Sequence, residues 1–183
     1  MRCLVRLVLL IWLVSGANVS AEIEKVEVDG IVNFSRWVGS TTFAGDMAGF
    51  GGQPQPGAMP WLARQGFKTV IALRLKDEEG ANIGENRTAA EQAGLTYLHM
   101  PFDPEQSSRL EVEEILAVIG DDNIQPVFIH CSSATRAAAI WMIGRVTRDD
   151  LGTAAAEQQG SLIAEKPGEA ISFVEGYLSA LDE

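Results

Sequence analysis

The chain has 183 residues, of which 46% are hydrophobic and 21% are charged, and its formal net charge is −11. This length suits a single domain with one substantial core, and the ordinary charged fraction argues against intrinsic disorder. Two cysteines are too few for a disulfide scaffold or for a site built from several thiolates. The acidic balance argues against electrostatic capture of nucleic acid or of an anionic lipid surface.

Residues 1–21 have the composition of a secretory signal peptide. Arginines precede the unbroken apolar run Leu7–Val14, and small residues then lead to Ala21. A transmembrane anchor needs about 20 apolar residues, so this shorter run predicts export without stable membrane insertion. We expect cleavage after Ala21, which leaves residues 22–183 as a periplasmic or secreted domain with a net charge of −13. Cys131 would then be its only thiol.

Strand and helix signals alternate along the rest of the chain. Apolar β-branched runs predict strands at 31–34, 67–75, 95–101 and 126–130. Helical spacing with glycine or proline stops predicts helices at 59–65, 85–93, 110–119, 136–148, 153–159 and 170–181. The glycine-rich stretch 43–57 is expected to be a loop that holds at most one short strand. This alternation predicts a single layered α/β domain, with a mostly parallel central sheet flanked by helices.

The segment 126–141 (PVFIHCSSATRAAAIW) brings reactive side chains to the end of a predicted buried strand. Cys131 follows that strand directly, and Arg136 opens the next helix. Ligands of open α/β sheets bind beyond the carboxyl ends of strands, where loop N–H groups and a helix dipole converge. A thiolate is stabilised there as a nucleophile, and the arginine can bind an oxyanion through two N–H groups. The segment therefore predicts attack of Cys131 on a phosphoryl or sulfane group.

A simpler interpretation exists for Cys131 alone, because cysteine is a common small core residue. The small polar residues, the arginine and the helix start that follow it favour a reactive thiol instead. Other charged residues are given ordinary interpretations. The acidic stretch 77–79 is expected to be a solvated loop, and Arg74 a surface arginine, although a strand end near the site would also let it add positive charge there.

From about residue 43 to residue 178 the sequence resembles the cysteine-dependent dual-specificity phosphatases, in particular their small bacterial members. The resemblance rests on Gly52-Gln53-Pro54, on GFKTVIALR at 66–74, on GLTYLHMPFD at 94–103 and on the segment from His130-Cys131 to Arg136, which stand in the family's order. It implies a phosphatase-like fold and a phosphocysteine intermediate on Cys131, with no metal or other cofactor. The partner would be a phosphorylated protein or a small phosphoester.

The resemblance also implies a role for each site residue. Arg136 and the backbone of the loop residues would bind the phosphoryl oxygens, and His130 would orient the loop and stabilise the thiolate. The loop residues concerned are Ser132, Ser133, Ala134 and Thr135. The leaving oxygen needs a proton donor, and Asp103 lies where the family has its acid, with Glu105 as the fallback. Asp103 is equally well interpreted as a turn former beside a proline.

The loop departs from the family pattern in ways that should slow the reaction. Four residues separate Cys131 from Arg136, where most members have five, Ala134 stands where short-loop relatives carry glycine, and Ala137 replaces a serine or threonine. A Cβ at Ala134 disfavours a positive φ, and Ala137 lacks a hydroxyl that would stabilise the thiolate. A weakly active or non-catalytic phosphate-binding protein therefore stays open. Rhodanese-like sulfurtransfer through a persulfide on Cys131 is the other alternative, less compatible with the upstream segments.

Overall fold

The computed structural model describes residues 22–181, so the predicted signal peptide lies outside the described residues. The strands are β1 (Glu22–Lys25), β2 (Ser35–Thr41), β3 (Gly45–Gly51), β4 (Thr69–Ala72), β5 (Thr96–His99) and β6 (Val127–His130). The helices are α1 (Met59–Arg64), α2 (Ile83–Gln92), α3 (Arg109–Ile119), α4 (Thr135–Asp149), α5 (Thr153–Ile163) and α6 (Pro167–Ser179). A short 3₁₀ helix, Pro56–Ala58, precedes α1.

The strands form one six-stranded sheet in the order β1-β2-β3-β6-β4-β5. β1, β2 and β3 pair antiparallel, whereas β3 with β6, β6 with β4 and β4 with β5 pair parallel. The predicted α/β architecture with a mostly parallel sheet is thereby confirmed. Because β4, β5 and β6 run in one direction, the loops that follow them meet at the same edge of the sheet.

The N-terminal half of the sheet differs from the sequence prediction. The stretch expected to be a loop with at most one short strand contains the seven-residue strand β3, which lies between β2 and β6 inside the sheet. Glycine has a low strand propensity, so the glycines of β3 give no local signal for a strand. One of them is needed for packing, since a Cβ on Gly49 would lie 2.6 Å from the Phe67 ring. The predicted strand at 31–34 is wrong, because this segment turns at Asn33, where φ is 52°, and β2 begins only at Ser35.

Helices cover both faces of the sheet, and side chains alternate between two cores. In β6, Val127 and Ile129 belong to a core that includes the buried faces of α3, α4, α5 and α6. Phe128, between them in sequence, belongs to a second core under α1 and α2. This period of two is the pleat of a strand that is buried on both faces. It determines to which face of the sheet each side chain of β6 points.

α4 begins beyond the carboxyl end of β6 and is buried along most of its length. Alanines at 137–139 let its first turns approach the strands closely, and Trp141 packs at 5.4 Å and 5.0 Å between ring centroids against Trp37 and Phe50. Large buried aromatic rings contribute strongly to the core, so the start of this helix is held firmly. Between residues 22 and 181, no helix is long and apolar enough to cross a membrane.

Candidate active site

Cys131 lies at the carboxyl end of β6, between the ends of β3 and β4. The residue is 1% exposed, and its backbone N–H donates to the Gly51 carbonyl at 3.3 Å. The four strand residues before it are fully buried, so the strand fixes the Cα of the cysteine at the sheet edge. The chain then turns through residues 132–134 and enters α4 at Thr135.

The carbonyl groups of this loop are bonded away from its centre. The Gln53 N–H donates to the Ser132 carbonyl at 3.2 Å, and the Asn33 side-chain amide donates to the Ser133 carbonyl at 3.3 Å. Gly52 allows the close approach, because a Cβ there would lie 2.6 Å from the Ser132 carbonyl oxygen. A loop whose carbonyls are satisfied from outside can leave its N–H groups for a ligand.

The N–H groups of Ser132, Ser133, Thr135 and Arg136 donate to no acceptor among the described residues. The last two belong to the first turn of α4, where the helix provides no intrahelical partner. Together with the positive end of the helix dipole, these groups can bind an anion beside Cys131. The predicted phosphate-binding segment therefore has the geometry for that role.

Two alanines shape the loop and the first turn of the helix. Ala134 has φ 78° and ψ −7°, so the positive φ considered from the sequence is present. This left-handed conformation is strained for a residue with a Cβ. Ala137 is fully buried in the first turn of α4, where a hydroxyl would point into the protein and not into bulk water.

The Arg136 guanidinium is held by two loops of the protein, the one after β4 and the one after β5. Nη1 and Nη2 donate to the Glu78 carboxylate at 2.6 and 2.8 Å, and Nη1 also donates to the carbonyls of Leu73 (3.3 Å) and Phe102 (3.1 Å). Burial alone lowers the pKa of Arg136, but the hydrogen bonds to Glu78 and the nearby Cys131 raise it above its usual value. The arginine is thus a fixed cation next to the thiol.

Glu78 and Arg74 contradict the expectations for their segment. Glu78 is half-buried, and besides Arg136 it accepts hydrogen bonds from Arg74 Nε at 2.9 Å and from the Leu75 N–H at 2.7 Å. Burial raises the pKa of Glu78, but these bonds, led by that from Arg136, lower it to about 2. Arg74 is only 7% exposed and also donates to Gln53 Oε1. Neither side chain belongs to a solvated surface, because the loop after β4 turns inward against the site.

His130 is fully buried behind the loop. Its Nδ1 lies 3.3 Å from the Cys131 carbonyl oxygen, and its ring stacks on Phe128 at 6.0 Å between centroids. Burial lowers the pKa of His130 to about 4, although the Cys131 carbonyl acts in the opposite direction. The imidazole is therefore neutral at pH 7 and can orient the loop. The permanent positive charge beside the thiol comes from Arg136.

Asp103 lines the same cavity as Cys131, but its contacts are those of a turn former. Its carboxylate accepts hydrogen bonds from the Glu105 N–H at 3.0 Å and the Gln106 side chain at 2.9 Å, and its own N–H donates to Ser107 Oγ. The neighbouring Phe102 carbonyl is bonded to the arginine of the loop. Both interpretations of Asp103 therefore retain a structural basis, and Glu105 lines the cavity as well.

A cavity of about 520 Å³ opens above the loop. The predicted site residues that line it are Cys131, Ser132, Ser133, Thr135, Arg136, Asp103 and Glu105. His130 and Ala134 are buried behind this lining. A patch of apolar side chains and the start of α6 complete the wall. Among residues 22–181, no group of His, Cys, Asp and Glu side chains is arranged to hold a metal ion.

Sequence reasoning missed Glu78, Gln53, Asn33 and Lys166. The chain order gave one signal for Glu78. This residue follows β4 as Cys131 follows β6, and parallel strands bring the loops at their carboxyl ends together. Lys166 approaches through α6, where its backbone N–H donates to Thr135 Oγ1 at 3.2 Å. Gln53 lies in the Gly52-Gln53-Pro54 motif, which was noted without a role for its side chain. No local pattern marks the contacts of Asn33 and Lys166, since each joins segments far apart in the chain.

Comparison with known proteins identifies related sequences. Residues 44–169 match the model of a family described as DSP-PTPase phosphatase fused to NAD+ kinase. The Beta-lactamase hydrolase-like protein of Agrobacterium fabrum is 30% identical over 107 residues, which are 55% of this chain and 25% of that protein. The chain thus spans about a quarter of the length of this relative.

Solved structures with a similar fold are also phosphatases. TpbA of P. aeruginosa, in complex with phosphotyrosine, has a TM-score of 0.62 at 18% identity and covers 91% of this chain and 99% of its own. The core catalytic domain of the PP-IP phosphatase SIW14 from S. cerevisiae has a TM-score of 0.58 at 14% identity. It covers 70% of this chain and 78% of its own. At these identities the similarity shows a shared fold.

Proposed function

The chain belongs to this family of DSP-PTPase phosphatases, and from that membership we propose that it hydrolyses phosphoesters through a phosphocysteine formed on Cys131. The observation that carries the proposal is the position of this thiol in a loop whose carbonyls are bonded outward, with Arg136 fixed beside it. Nucleophile, anion-binding amides and a bidentate cation are the parts that such a displacement requires.

In the first step the Cys131 thiolate attacks phosphorus, and the bond from phosphorus to the leaving oxygen breaks. Asp103 gives a proton to that oxygen, so the alcohol or phenol leaves neutral. In the second step water attacks the phosphocysteine, the Asp103 carboxylate takes a proton from the water, and the sulfur–phosphorus bond breaks. Inorganic phosphate leaves and the thiolate is restored. Glu105 is the alternative proton donor, since it lines the same cavity.

The contacts of Arg136 support a definite role in binding the phosphoryl group. Its Nη1–Nη2 edge is occupied by the Glu78 carboxylate. A guanidinium has five N–H donors in one plane. The edge formed by Nε and the second Nη2 proton is therefore the one available to two phosphoryl oxygens. Glu78 would act as a positioning residue that presents this edge to the substrate.

Purified protein should hydrolyse p-nitrophenyl phosphate, and Cys131→Ser should abolish turnover while leaving the protein folded. Rapid acid quenching should trap a phosphate-carrying wild-type protein, visible by mass spectrometry, that the serine variant does not form. Thiosulfate-to-cyanide sulfur transfer without phosphatase activity would overturn the proposal in favour of the persulfide alternative. Phosphate binding with no product burst would favour a non-catalytic role.

The proposed location is outside the cytoplasm, and it rests on the sequence of residues 1–21 alone. The mass of the protein recovered from an exported fraction tests it. A mature chain beginning at Glu22 is the expected result, and a protein that keeps Met1–Ala21 would contradict it. The proposed substrate is a phosphorylated protein or a small phosphoester. Among the structural neighbours, TpbA was solved with phosphotyrosine and SIW14 is described as a PP-IP phosphatase.

A further inference from the structure

The charges around the cavity are predominantly negative. Two cationic side chains line it, Arg136 and Lys166, against the carboxylates Glu78, Asp103, Glu105 and Glu169. Arg136 pairs with Glu78 at 2.6 Å, and Lys166 Nζ pairs with Glu169 at 2.9 Å. Among the lining residues, each cation thus has a carboxylate partner. Two acidic side chains are left over: Asp103, which holds a proton in the proposed first step, and Glu105.

These charges are placed at two depths. Arg136 is near the base, where its side chain is 14% exposed, while the side chains of Lys166 and Glu169 are 61% and 64% exposed. Glu105 is exposed as well. We call the outer groups, 103–105 and 166–169, the mouth of the cavity. The loop amides and Arg136 can neutralise one phosphoryl group at the base, but the mouth provides no unpaired cation for a second one.

The wall between base and mouth is apolar. It is formed by Leu75, Pro104, Ala139, Ala170 and Phe173. The Phe173 ring is held edge-on against Phe102 at 5.1 Å between centroids. Such a wall favours an apolar or aromatic group attached to the reacting phosphate.

We propose that the site is selective for phosphoesters that carry a single phosphate on an apolar or aromatic group with positive charge around it, with Glu105 as the specificity-determining residue. The inference rests on the proposed phosphatase function. A second phosphate, or acidic neighbours, would face the unpaired carboxylate of Glu105 at the mouth and the net negative charge of the chain. Lysine or arginine neighbours would meet complementary charge there.

The test uses matched phosphotyrosine peptides that differ only in their flanking residues, lysines in one and glutamates in the other. At low salt we expect kcat/KM for the lysine peptide to be higher by about fivefold to tenfold, since each exposed charge pair contributes modestly. The difference should shrink at high salt. The variant Glu105→Gln should narrow the difference between the two peptides, and Glu105→Lys should narrow it further or reverse it. Glu175→Gln, which removes an exposed carboxylate of α6 outside the cavity lining, should leave it unchanged.

Equal rates for the two peptides, or an equal effect of Glu175→Gln, would overturn the inference. So would hydrolysis of p-nitrophenyl phosphate by a protein that turns over neither peptide. These outcomes differ from failure of the proposed function, in which p-nitrophenyl phosphate itself would not be hydrolysed. The small aryl phosphate carries no flanking charge, so its hydrolysis by the Glu175→Gln control should match that by the wild type. A loss of proton donation in a Glu105 variant would lower the rates for both peptides alike, so the effect of that variant is measured as the ratio of the two kcat/KM values.

Discussion

Ala134→Gly tests whether the phosphate-binding loop stores backbone strain. Ala134 is the residue before α4, with φ 78° and a fully buried side chain. Glycine adopts this conformation without steric cost. The substitution therefore removes strain from the folded state, while it also removes a buried methyl group and makes the unfolded chain more flexible.

The opposing contributions are of similar size. A left-handed residue with a Cβ costs about 1–2 kcal/mol. Losing the methyl group costs about 0.8 kcal/mol, and the added freedom of glycine in the unfolded chain costs about 0.4–1 kcal/mol. The free energy of unfolding of Ala134→Gly should therefore stay within about 1 kcal/mol of the wild type.

Ala138→Gly is the matched control, because Ala138 is equally buried but has an ordinary helical position in α4. It loses the same methyl group, suffers the low helix propensity of glycine and relieves no strain, so it should cost about 2 kcal/mol. Urea unfolding of both variants measures the difference. If Ala134→Gly destabilises the protein as much as Ala138→Gly, the argument that the loop is strained is refuted.

Three further predictions concern the residues around the thiol. Glu78→Gln should lower the free energy of unfolding by about 2 kcal/mol at pH 7, because it leaves Arg136 without its charged partner. It should also lower kcat/KM, and Glu78→Asp should restore part of the stability and part of the activity. As the pH falls from 4.5 towards 2, Glu78→Gln should lose less stability than the wild type, because the unfolded wild-type chain takes up a proton there that Glu78 resists in the folded protein. Between pH 7 and pH 5 the free energy of unfolding of the wild type should fall by about 2 kcal/mol, because histidine in the unfolded chain is protonated below pH 6.5 while buried His130 stays neutral down to about pH 4. His130→Asn should remove this loss, as measured by urea titrations at both pH values. Ala137→Ser should add the hydroxyl that the family resemblance places beside the thiol. It should speed hydrolysis of the proposed phosphocysteine by about tenfold, seen as a smaller burst relative to the steady-state rate.

Sequence patterns predict the part of the fold whose cause is local. β4 and β6 are β-branched and apolar because they are buried on both faces, and α4 follows from helical spacing after the loop. β3 was expected only as one short strand within a loop, because its glycines carry no strand propensity. Its place inside the sheet is set by contacts with β2 and β6. Tertiary packing overrides propensity there.

The candidate site divides in the same way. Cys131 and Arg136 share one short segment, so their proximity could be predicted, and the positive φ of Ala134 was considered because the family has glycine there. Glu78 could not be assigned from its own segment. Its role depends on Arg136, 58 residues further along the chain, and the acidic run around it looks the same whether it faces solvent or the site.

The Arg136 contacts connect the loops that follow β4, β5 and β6. Leu73 and Glu78 come after β4, Phe102 after β5, and Arg136 itself after β6. A guanidinium is rigid and planar, so these bonds at one edge fix the direction of the other edge. The phosphate-facing donors are therefore oriented before any substrate arrives, which is what electrostatic stabilisation of a phosphoryl transition state requires. It follows that substitutions in the first two loops can alter the reaction without touching the phosphate.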